Sequence, residues 1–284
     1  MQHIYYRPQW ARIIARDAYN GLRLWSRTIK THGQDYNPRV VVAVGDRLFA
    51  VLKVNGPLVA LDAATGKVLK TYDVGISPRS VLYVDGNLVL AAEKELCSLN
   101  ARSGKVRWKV STPTQGGFLF QPQKPQRYAV NKKPYMVAGG GRLFIFVKDA
   151  PKPPYTLVCY DLTTGAEKWN RKQPGELLAY YKGLVLLYDL EVEPTRTENG
   201  KGTYYVLSAQ DGRELWNRPH VRRSNHPDEP CYTQGLIWVT DNTRGGGPHL
   251  NGLDPSTGRV RKRLKSTVLG HCARLVTTPR YIIG

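Results

Sequence analysis

Short apolar runs, many of them alternating with polar residues, cover most of the chain and are separated by Gly, Asp and Asn. Residues 39–72 show the pattern in full, with turn pairs at Gly45-Asp46 and Asn55-Gly56. Alternating and β-branched runs bounded by turn residues predict β-strands joined as hairpins. Because every strong pattern has the period of a strand, the sequence predicts an all-β chain with almost no helix.

One short motif, small-x-Asp-x-x-Thr-Gly-x-x-x-Trp, occurs six times. It covers residues 15–25, 60–70, 98–108, 159–169, 206–216 and 252–262. The steps between copies are 45, 38, 61, 47 and 46 residues, measured at the Asp position, which is Asp17, Asp62, Asn100, Asp161, Ser208 and Asp254. A period in the forties is the length of one four-stranded propeller blade.

Each part of the motif has a physical role. The Asp or Asn side chain can bond the backbone amides ahead of it, and the glycine takes the positive φ of a tight turn. These glycines are Gly21, Gly66, Gly104, Gly165, Gly212 and Gly258. The last position lies on the next strand, where a large flat side chain can cover a neighbouring blade's turn. It is occupied by Trp25, Trp108, Trp169 and Trp216, with Lys70 and Lys262 in the other two copies.

The strand runs group into five complete blades and two half blades. The complete blades are predicted over residues 39–72, 80–110, 135–170, 177–217 and 231–264, and the half blades over 12–30 and 274–283. The half blades are expected to pair as a sixth blade; an open fragment of a larger propeller is the alternative. We therefore predict one propeller domain over residues 1–284.

Residues 111–133 break the period and form an insertion in one blade, either a contact site or a flexible spacer. Because this segment lacks the strand pattern, removing residues 116–126 is expected to leave the blades folded. Charged residues predict a second loop over 191–201, and basic residues a third over 220–226.

Composition and charge narrow the classes of partner. The chain has 42 Lys and Arg against 22 Asp and Glu, a formal net charge of +20 that attracts polyanions or acidic proteins. These cations are spread over every repeat, so solvated strand faces explain most of them and nucleic-acid binding is not expected. Candidate surface contacts are Arg222, Arg223, His226 and Arg244. No apolar run is long enough to span a membrane and residues 1–10 show no secretory signal, so the protein is cytoplasmic or this start is internal to a longer protein.

Four cysteines give no sign of a metal or disulfide framework. Cys97, Cys159, Cys231 and Cys272 include no adjacent pair and no Cys-x-x-Cys spacing. Cys97 and Cys159 lie in the strand before the repeated turn, where a buried thiol acts as a small apolar residue. Cys272 follows Gly270-His271 and is the least explained, although a buried structural role is favoured.

The six motif copies resemble the tryptophan-docking repeat of the quinoprotein-type propeller, the bacterial PQQ-like β-propeller family. The resemblance covers nearly the whole chain and implies the propeller fold. Members resembling this chain include pyrroloquinoline-quinone (PQQ) dehydrogenases, which are enzymes, and the outer-membrane protein assembly lipoprotein, which is a scaffold. The resemblance leaves the function open, because one fold hosts many sites.

The resemblance also implies what an enzyme of this family would need. The dehydrogenases hold their quinone between a tryptophan and a disulfide of adjacent cysteines, with a carboxylate and an amide for calcium. This sequence has no adjacent cysteines, and only Trp10 and Trp238 lie outside the docking position. No catalytic residue or metal site is therefore predicted, and PQQ and calcium are expected only if the chain is an enzyme.

The favoured prediction is a non-catalytic, monomeric scaffold whose loops bind a protein or small-molecule partner. The alternatives are a PQQ-dependent oxidoreductase domain and a module that binds polyanions or the cell envelope. The resemblance suggests a periplasmic or envelope location if the chain is part of a longer protein.

Overall fold

The computed structural model describes residues 10–30, 40–53, 55–112, 117–118, 136–192, 200–222, 230–241, 249–265, 276–277 and 282–283. Every regular element in these residues is a β-strand, and within each sheet every strand pairs antiparallel with the next. The chain divides into two compact units, one of residues 1–118 with 163–165 and one of residues 119–162 with 166–284.

The first unit contains one two-stranded and two four-stranded sheets. The two-stranded sheet is β1 (Trp10–Arg16) and β2 (Arg23–Lys30). The four-stranded sheets are β3 (Val41–Val44), β4 (Arg47–Val51), β5 (Leu58–Asp62) and β6 (Val68–Tyr72), followed by β7 (Ser80–Val84), β8 (Asn87–Ala91), β9 (Glu95–Asn100) and β10 (Val106–Ser111).

The second unit contains three four-stranded sheets and a short hairpin. The first sheet is β11 (Met136–Gly139), β12 (Arg142–Val147), β13 (Tyr155–Asp161) and β14 (Glu167–Gln173). The next is β15 (Glu176–Tyr181), β16 (Leu184–Val192), β17 (Gly200–Ser208) and β18 (Glu214–Arg222). The last sheet and the hairpin are β19 (Cys231–Thr233), β20 (Leu236–Asp241), β21 (His249–Leu253), β22 (Val260–Lys265), β23 (Val276–Thr277) and β24 (Ile282–Ile283).

These sheets confirm the prediction of an all-β chain with five complete blades and two half blades. The third strand of each complete blade is covered on both faces, because alternate side chains of a strand point to opposite sides and both sets are buried. The two half blades are each a two-stranded sheet. Their predicted pairing as a sixth blade stays a prediction.

A β-bulge precedes the docking position in every motif copy. In the second copy Ala60 pairs with Lys70 and Leu61 with Val68, so Leu69 is the extra residue. The same register shift makes Leu24, Arg107, Lys168, Leu215 and Arg261 the extra residues of the other copies. Since a bulge bends the strand and redirects the next side chain, it aims the docking residue off the regular pleat.

Two predicted loops are shorter than expected. Of the loop predicted over 191–201, residues 191–192 belong to β16 and residues 200–201 to β17. Residues 220–222 of the predicted basic loop belong to β18. His220 is buried and packs against the rings of Tyr188 and Tyr204, with ring centroids 6.0 and 4.9 Å away. The prediction of loops was wrong at these ends because this aromatic cluster extends the strands past residues that look like loop residues in the sequence.

Part of the predicted insertion is anchored to the first unit. The Phe118 side chain is 2 % exposed, and its amide donates a 2.6 Å hydrogen bond to the Glu93 carbonyl. Residues 113–116 and 119–135 lie outside the described residues. The prediction that removing residues 116–126 leaves the blades folded therefore stays untested, and it now includes the loss of one buried phenylalanine.

Candidate functional site

The acidic side chains of the motif cap its turns. Asp62 Oδ1 accepts hydrogen bonds from the Thr65 hydroxyl at 2.8 Å and the Thr65 amide at 2.7 Å, and these bonds lower the pKa of Asp62. Asp254 accepts from the amides of Ser256 and Thr257 at 2.9 and 3.1 Å, and its pKa is lowered by the Ser256 amide and then by Arg261. These carboxylates therefore serve the backbone of the turn.

The other copies vary the cap. Asp17 and Asn100 accept amide hydrogen bonds as Asp62 does, and Asp161 forms a 3.2 Å ion pair with Lys168. Ser208 has no carboxylate, and in this copy Asp211 is the acidic group, with its pKa lowered by a hydrogen bond to Ser208. A polar side chain of the turn is thus bonded within each of these copies, although the residue and its partner change.

Each docking tryptophan lies flat on the glycine of the next motif turn. The Trp25 indole donates from Nε1 to the Ala63 carbonyl at 2.8 Å, and a Cβ atom built on Gly66 would lie 2.7 Å from Trp25 Cδ2. Only glycine, which also holds the φ of +70° there, leaves room for the ring. Trp108 makes the same approach to Gly165 at 2.8 Å.

The second unit repeats the contact twice. Trp169 and Trp216 donate from Nε1 to the carbonyls of Ala209 and Pro255 at 3.0 and 2.8 Å, and their rings cover the turn glycines Gly212 and Gly258. Arg171 and Arg218, two residues further on, donate to the carbonyls of the same glycines at 2.7 and 3.3 Å. In these two copies the docking strand therefore binds the neighbouring motif turn through an indole and also through a guanidinium.

Lys70 replaces the indole with help from Tyr72. The Lys70 ammonium donates to the Ser103 carbonyl at 2.6 Å, and its Cε atom would lie 2.7 Å from a Cβ on Gly104. The Tyr72 hydroxyl donates to the Ala101 carbonyl, which stands three residues before the glycine, as Ala63 does in the tryptophan copies. Burial raises the pKa of Tyr72, so this hydroxyl stays a donor.

Lys262, the other lysine at the docking position, lies on an exposed basic strand. We name the β22 face as the exposed side chains on both sides of this outer strand, which are Arg261, Lys262, Arg263, Leu264 and Lys265. Arg261 donates to Asp254 Oδ2 at 3.1 Å and Arg263 donates to Asn251 Oδ1 at 3.0 Å, so both guanidinium groups are bonded to side chains of the same blade. Leu264 stands where Tyr72 stands in the second copy and is 39 % exposed.

A tyrosine pair that the sequence analysis missed lies at two turns of the second unit. The rings of Tyr181 and Tyr232 stack with centroids 3.2 Å apart, and the Lys182 ammonium lies 5.5 Å from the Tyr181 ring. Burial raises the pKa of Tyr232 to about 12, while hydrogen bonds from Tyr232 and Lys182 outweigh burial and lower the pKa of Tyr181. Tyr residues directly before a Lys-Gly turn and a Thr-Gln-Gly turn are the only sequence signal for this pair.

The described cysteines do not offer reactive thiolates. Burial raises the pKa of Cys159 and of Cys231 to about 11 and also raises that of Cys97. The three are free thiols. Since the thiolate is the nucleophile and the metal ligand, these groups are suited to packing. Cys272 lies outside the described residues.

Of the predicted surface contacts, Arg223, His226 and Arg244 lie outside the described residues, and for Arg222 only the backbone, at the end of β18, is described. Within the described residues, no group of three or more His, Cys, Asp or Glu side chains could hold a metal ion. The same residues include no helix long and apolar enough to cross a membrane.

Comparison with known proteins identifies the repeat. A family profile described as outer membrane protein assembly factor BamB matches residues 9–150 and 130–268. The chain is 28% identical over 277 residues to quinohemoprotein alcohol dehydrogenase ADH IIB of Pseudomonas putida, covering 85% of this chain and 39% of the dehydrogenase. The chain thus spans about two fifths of that relative's length.

Solved structures support the fold. BamB from Moraxella catarrhalis superposes with a TM-score of 0.57 and 15% identity, over 94% of this chain and 73% of that one. The dihydro-heme d1 dehydrogenase NirN, in complex with DHE, gives a TM-score of 0.59 at 15% identity, over 96% of this chain and 55% of that one. The predicted propeller class and the predicted resemblance to the PQQ-like repeat are confirmed.

Proposed function

The chain belongs to the family of outer membrane protein assembly factor BamB, and from that membership we propose that it is a non-catalytic scaffold that binds a protein partner in the cell envelope. The observation that carries the proposal is the exposed β22 face. The side chains that could contact a partner are the exposed ones on the described strands and turns.

The β22 face differs from the fourth strands of the other complete blades at Lys262 and Leu264, which are exposed where the equivalent residues are buried or half-buried. In β18 the docking residue Trp216 is 9 % exposed, whereas Lys262 at the same position of β22 is exposed. Lys262 and Leu264 lie on the docking side of this outer strand and Arg263 and Lys265 on its other side, so an apolar group stands beside cations along one exposed strand. A partner that covers it needs acidic side chains around an apolar group, which fits an acidic protein and agrees with the net charge of +20.

The described residues do not fit the quinone of the related dehydrogenase. Trp238, the buried tryptophan outside the docking position, is 1 % exposed and donates to the Thr233 carbonyl at 3.2 Å. Its ring also lies against Gly252, with Cη2 3.1 Å from the position of a Cβ atom. A ring packed in this way within β19–β21 offers no open platform, and the sequence has no adjacent cysteines to oppose it.

The test is binding to the outer-membrane protein assembly machinery of Moraxella catarrhalis, immobilised in detergent, with that organism's BamB as the positive control. We expect saturable binding of the full chain and about a tenfold weaker Kd for the double variant Lys262→Glu, Lys265→Glu. The matched control is Lys67→Glu, Lys105→Glu, which reverses the same charge at two exposed turn lysines.

Three outcomes would overturn the proposal. The first is no binding of the full chain while BamB binds. The second is an equal loss in both double variants, together with a steep salt dependence, which would indicate a polyanion-binding module. The third is a saturable, calcium-dependent change in tryptophan fluorescence on adding pyrroloquinoline quinone, which would indicate the oxidoreductase.

A further inference from the structure

The first strands of three blades contact the preceding blade through a tyrosine ring. Tyr83, Tyr180 and Tyr232 hold the same position, which is the second residue before a two-residue turn. Tyr83 stacks on Phe49 of β4 and Tyr180 on Phe144 of β12, with ring centroids 6.3 and 6.0 Å apart and interplanar angles of 20° and 15°. In these two contacts a tyrosine therefore faces a ring that has no hydroxyl group.

Tyr232 stacks on a second tyrosine instead. The preceding blade has Leu186 at the position that Phe49 and Phe144 hold in theirs, and the Tyr232 ring lies on Tyr181 with centroids 3.2 Å apart and an interplanar angle of 22°. The two hydroxyl groups are hydrogen-bonded to each other, so the rings point the same way. The ring carbons next to one hydroxyl group therefore face those next to the other.

The surroundings of Tyr181 favour its oxidation. Burial acts to raise the pKa of Tyr181, but hydrogen bonds from Tyr232 and Lys182 outweigh burial and hold this pKa below its ordinary value. A phenolate gives up an electron more easily than a phenol does, because no proton has to leave with the electron. Tyr181 and Tyr232 are both half-buried, so part of each ring reaches solvent.

A second tyrosine pair of the same unit provides a comparison. The rings of Tyr188 and Tyr204 lie with centroids 4.8 Å apart and are tilted by 42°. Their side chains are 4 % and 1 % exposed. The pair of Tyr181 and Tyr232 is therefore closer, more nearly parallel and more accessible to an oxidant.

We propose that Tyr181 and Tyr232 are an oxidation site at which a haem peroxidase and hydrogen peroxide join the two rings as dityrosine. Each ring gives up one electron and its hydroxyl proton, and the two phenoxyl radicals form a carbon–carbon bond between positions next to the hydroxyl groups. The hydrogen on each bonded carbon then leaves as a proton, and each ring oxygen takes up a proton. The two electrons and two protons lost overall reduce one hydrogen peroxide to two water molecules. The new bond links β15 to β19 and does not depend on the β22 face.

The test treats the full chain, at low concentration, with a haem peroxidase and hydrogen peroxide. We expect the fluorescence of dityrosine in a product that migrates as a monomer. Trypsin digestion should then release residues 173–182 joined to residues 224–244, with a mass lower by two hydrogen atoms than the sum of the two peptides. The link should also raise the unfolding midpoint, because it closes a loop in the unfolded chain.

Single substitutions identify the reacting rings. Tyr181→Phe and Tyr232→Phe should each abolish the joined peptides. Tyr180→Phe is the matched control and should keep them, although it removes a hydroxyl group that accepts from the Gly183 amide at 3.0 Å in the same turn. Lys182→Gln keeps a side chain at the φ of +40° and should move the pH profile of joining to higher pH, because lysine no longer lowers the pKa of Tyr181.

Three outcomes would overturn the proposal. The first is dityrosine that forms only between molecules, for example through Tyr19, which is 98 % exposed. The second is joined peptides that persist in Tyr181→Phe or Tyr232→Phe. The third is an equally fast link between Tyr188 and Tyr204, which would mean that the close stack does not select the site. An unchanged pH profile in Lys182→Gln would overturn the part assigned to the lysine.

Discussion

Strands β18 and β22 are the fourth strands of adjacent blades in the sequence, and they carry the same motif with opposite chemistry. Both follow a capped turn and contain the same bulge before the docking position. In β18 the docking face holds Trp216, Arg218 and His220, of which the first and last are buried. In β22 the same face holds Lys262 and Leu264, which are exposed.

The comparison shows that the turn and the bulge build the strand in both blades. The burial of the side chain at the docking position depends instead on whether a neighbouring turn covers it. In β18 the covered position holds an indole that bonds and fills the next turn. In β22 the exposed position holds a lysine, which remains hydrated, whereas Lys70 occupies a covered position beside Tyr72. The comparison therefore separates the part of the motif that makes a blade from the part that joins two blades.

The largest expected effect on stability comes from removing the tryptophan side chain at the covered docking position of β18. Trp216→Ala should lower the free energy of unfolding by about 3–5 kcal/mol, because a buried aromatic ring and its hydrogen bond to Pro255 are lost. Trp108→Ala and Trp169→Ala should act alike. Lys262→Ala is the matched change on β22 and should cost within about 0.5 kcal/mol. Chemical denaturation measures both, and a cost under about 1 kcal/mol for the tryptophans would break the comparison.

The next effect comes from the turn that receives the indole. Gly258→Ala should cost about 2–4 kcal/mol, because the new methyl group meets the Trp216 ring and the backbone holds a φ of +68°. Gly235→Ala has a φ of +77° but its nearest neighbour is 3.9 Å away, so it measures the backbone strain alone at about 1 kcal/mol. Equal losses in the two variants would mean that the ring contact contributes nothing.

A smaller effect tests how a lysine can serve a covered position. Tyr72→Phe removes the hydroxyl that bonds Ala101 beside Lys70, and should cost about 1–2 kcal/mol. Tyr83→Phe is the control, since Tyr83 is 37 % exposed and should change stability by less than about 0.5 kcal/mol. If Tyr72→Phe proves neutral, the tyrosine does not replace the indole donor.

The smallest effect is the pH dependence of the cap before β22. Asp254 has its pKa lowered in the folded chain, so its contribution to stability is complete above the unfolded value of 3.8 and is lost as pH falls through the lower folded pKa. Asp254→Asn should therefore differ from the unchanged chain at a pH well above 3.8 and converge with it at a pH below the folded pKa of Asp254. A difference that grows on acidification would contradict this sign. Urea denaturation at the two pH values measures it.

The sequence predicts the blades well because the signals are local. Turn glycines, capping carboxylates and strand alternation lie within one motif, so blade number and strand order follow from the printed residues. The bulge could not be predicted in this way, because Leu69 and Arg107 look like ordinary strand residues. It is visible only in the register of two paired strands.

The candidate surfaces depend on distant residues and were harder to predict. Lys70 and Lys262 occupy the same motif position, and only the Tyr or Leu two residues later hints that one is covered and the other exposed. The Gly21 turn has the same sequence signature as the other motif turns, yet no atom of the described residues lies within 4 Å of a Cβ position on it.

The bulge ahead of each docking residue also affects how molecules meet in solution. Each blade ends in an outer strand, and a straight outer strand with free backbone groups can pair with the strand of another molecule and seed an aggregate. An extra residue at the same point of each outer strand kinks it and breaks the spacing that such pairing requires. The bulge that directs an indole toward the next blade therefore also reduces pairing between the outer strands of different molecules. It thereby lowers the tendency of the protein to form fibrils.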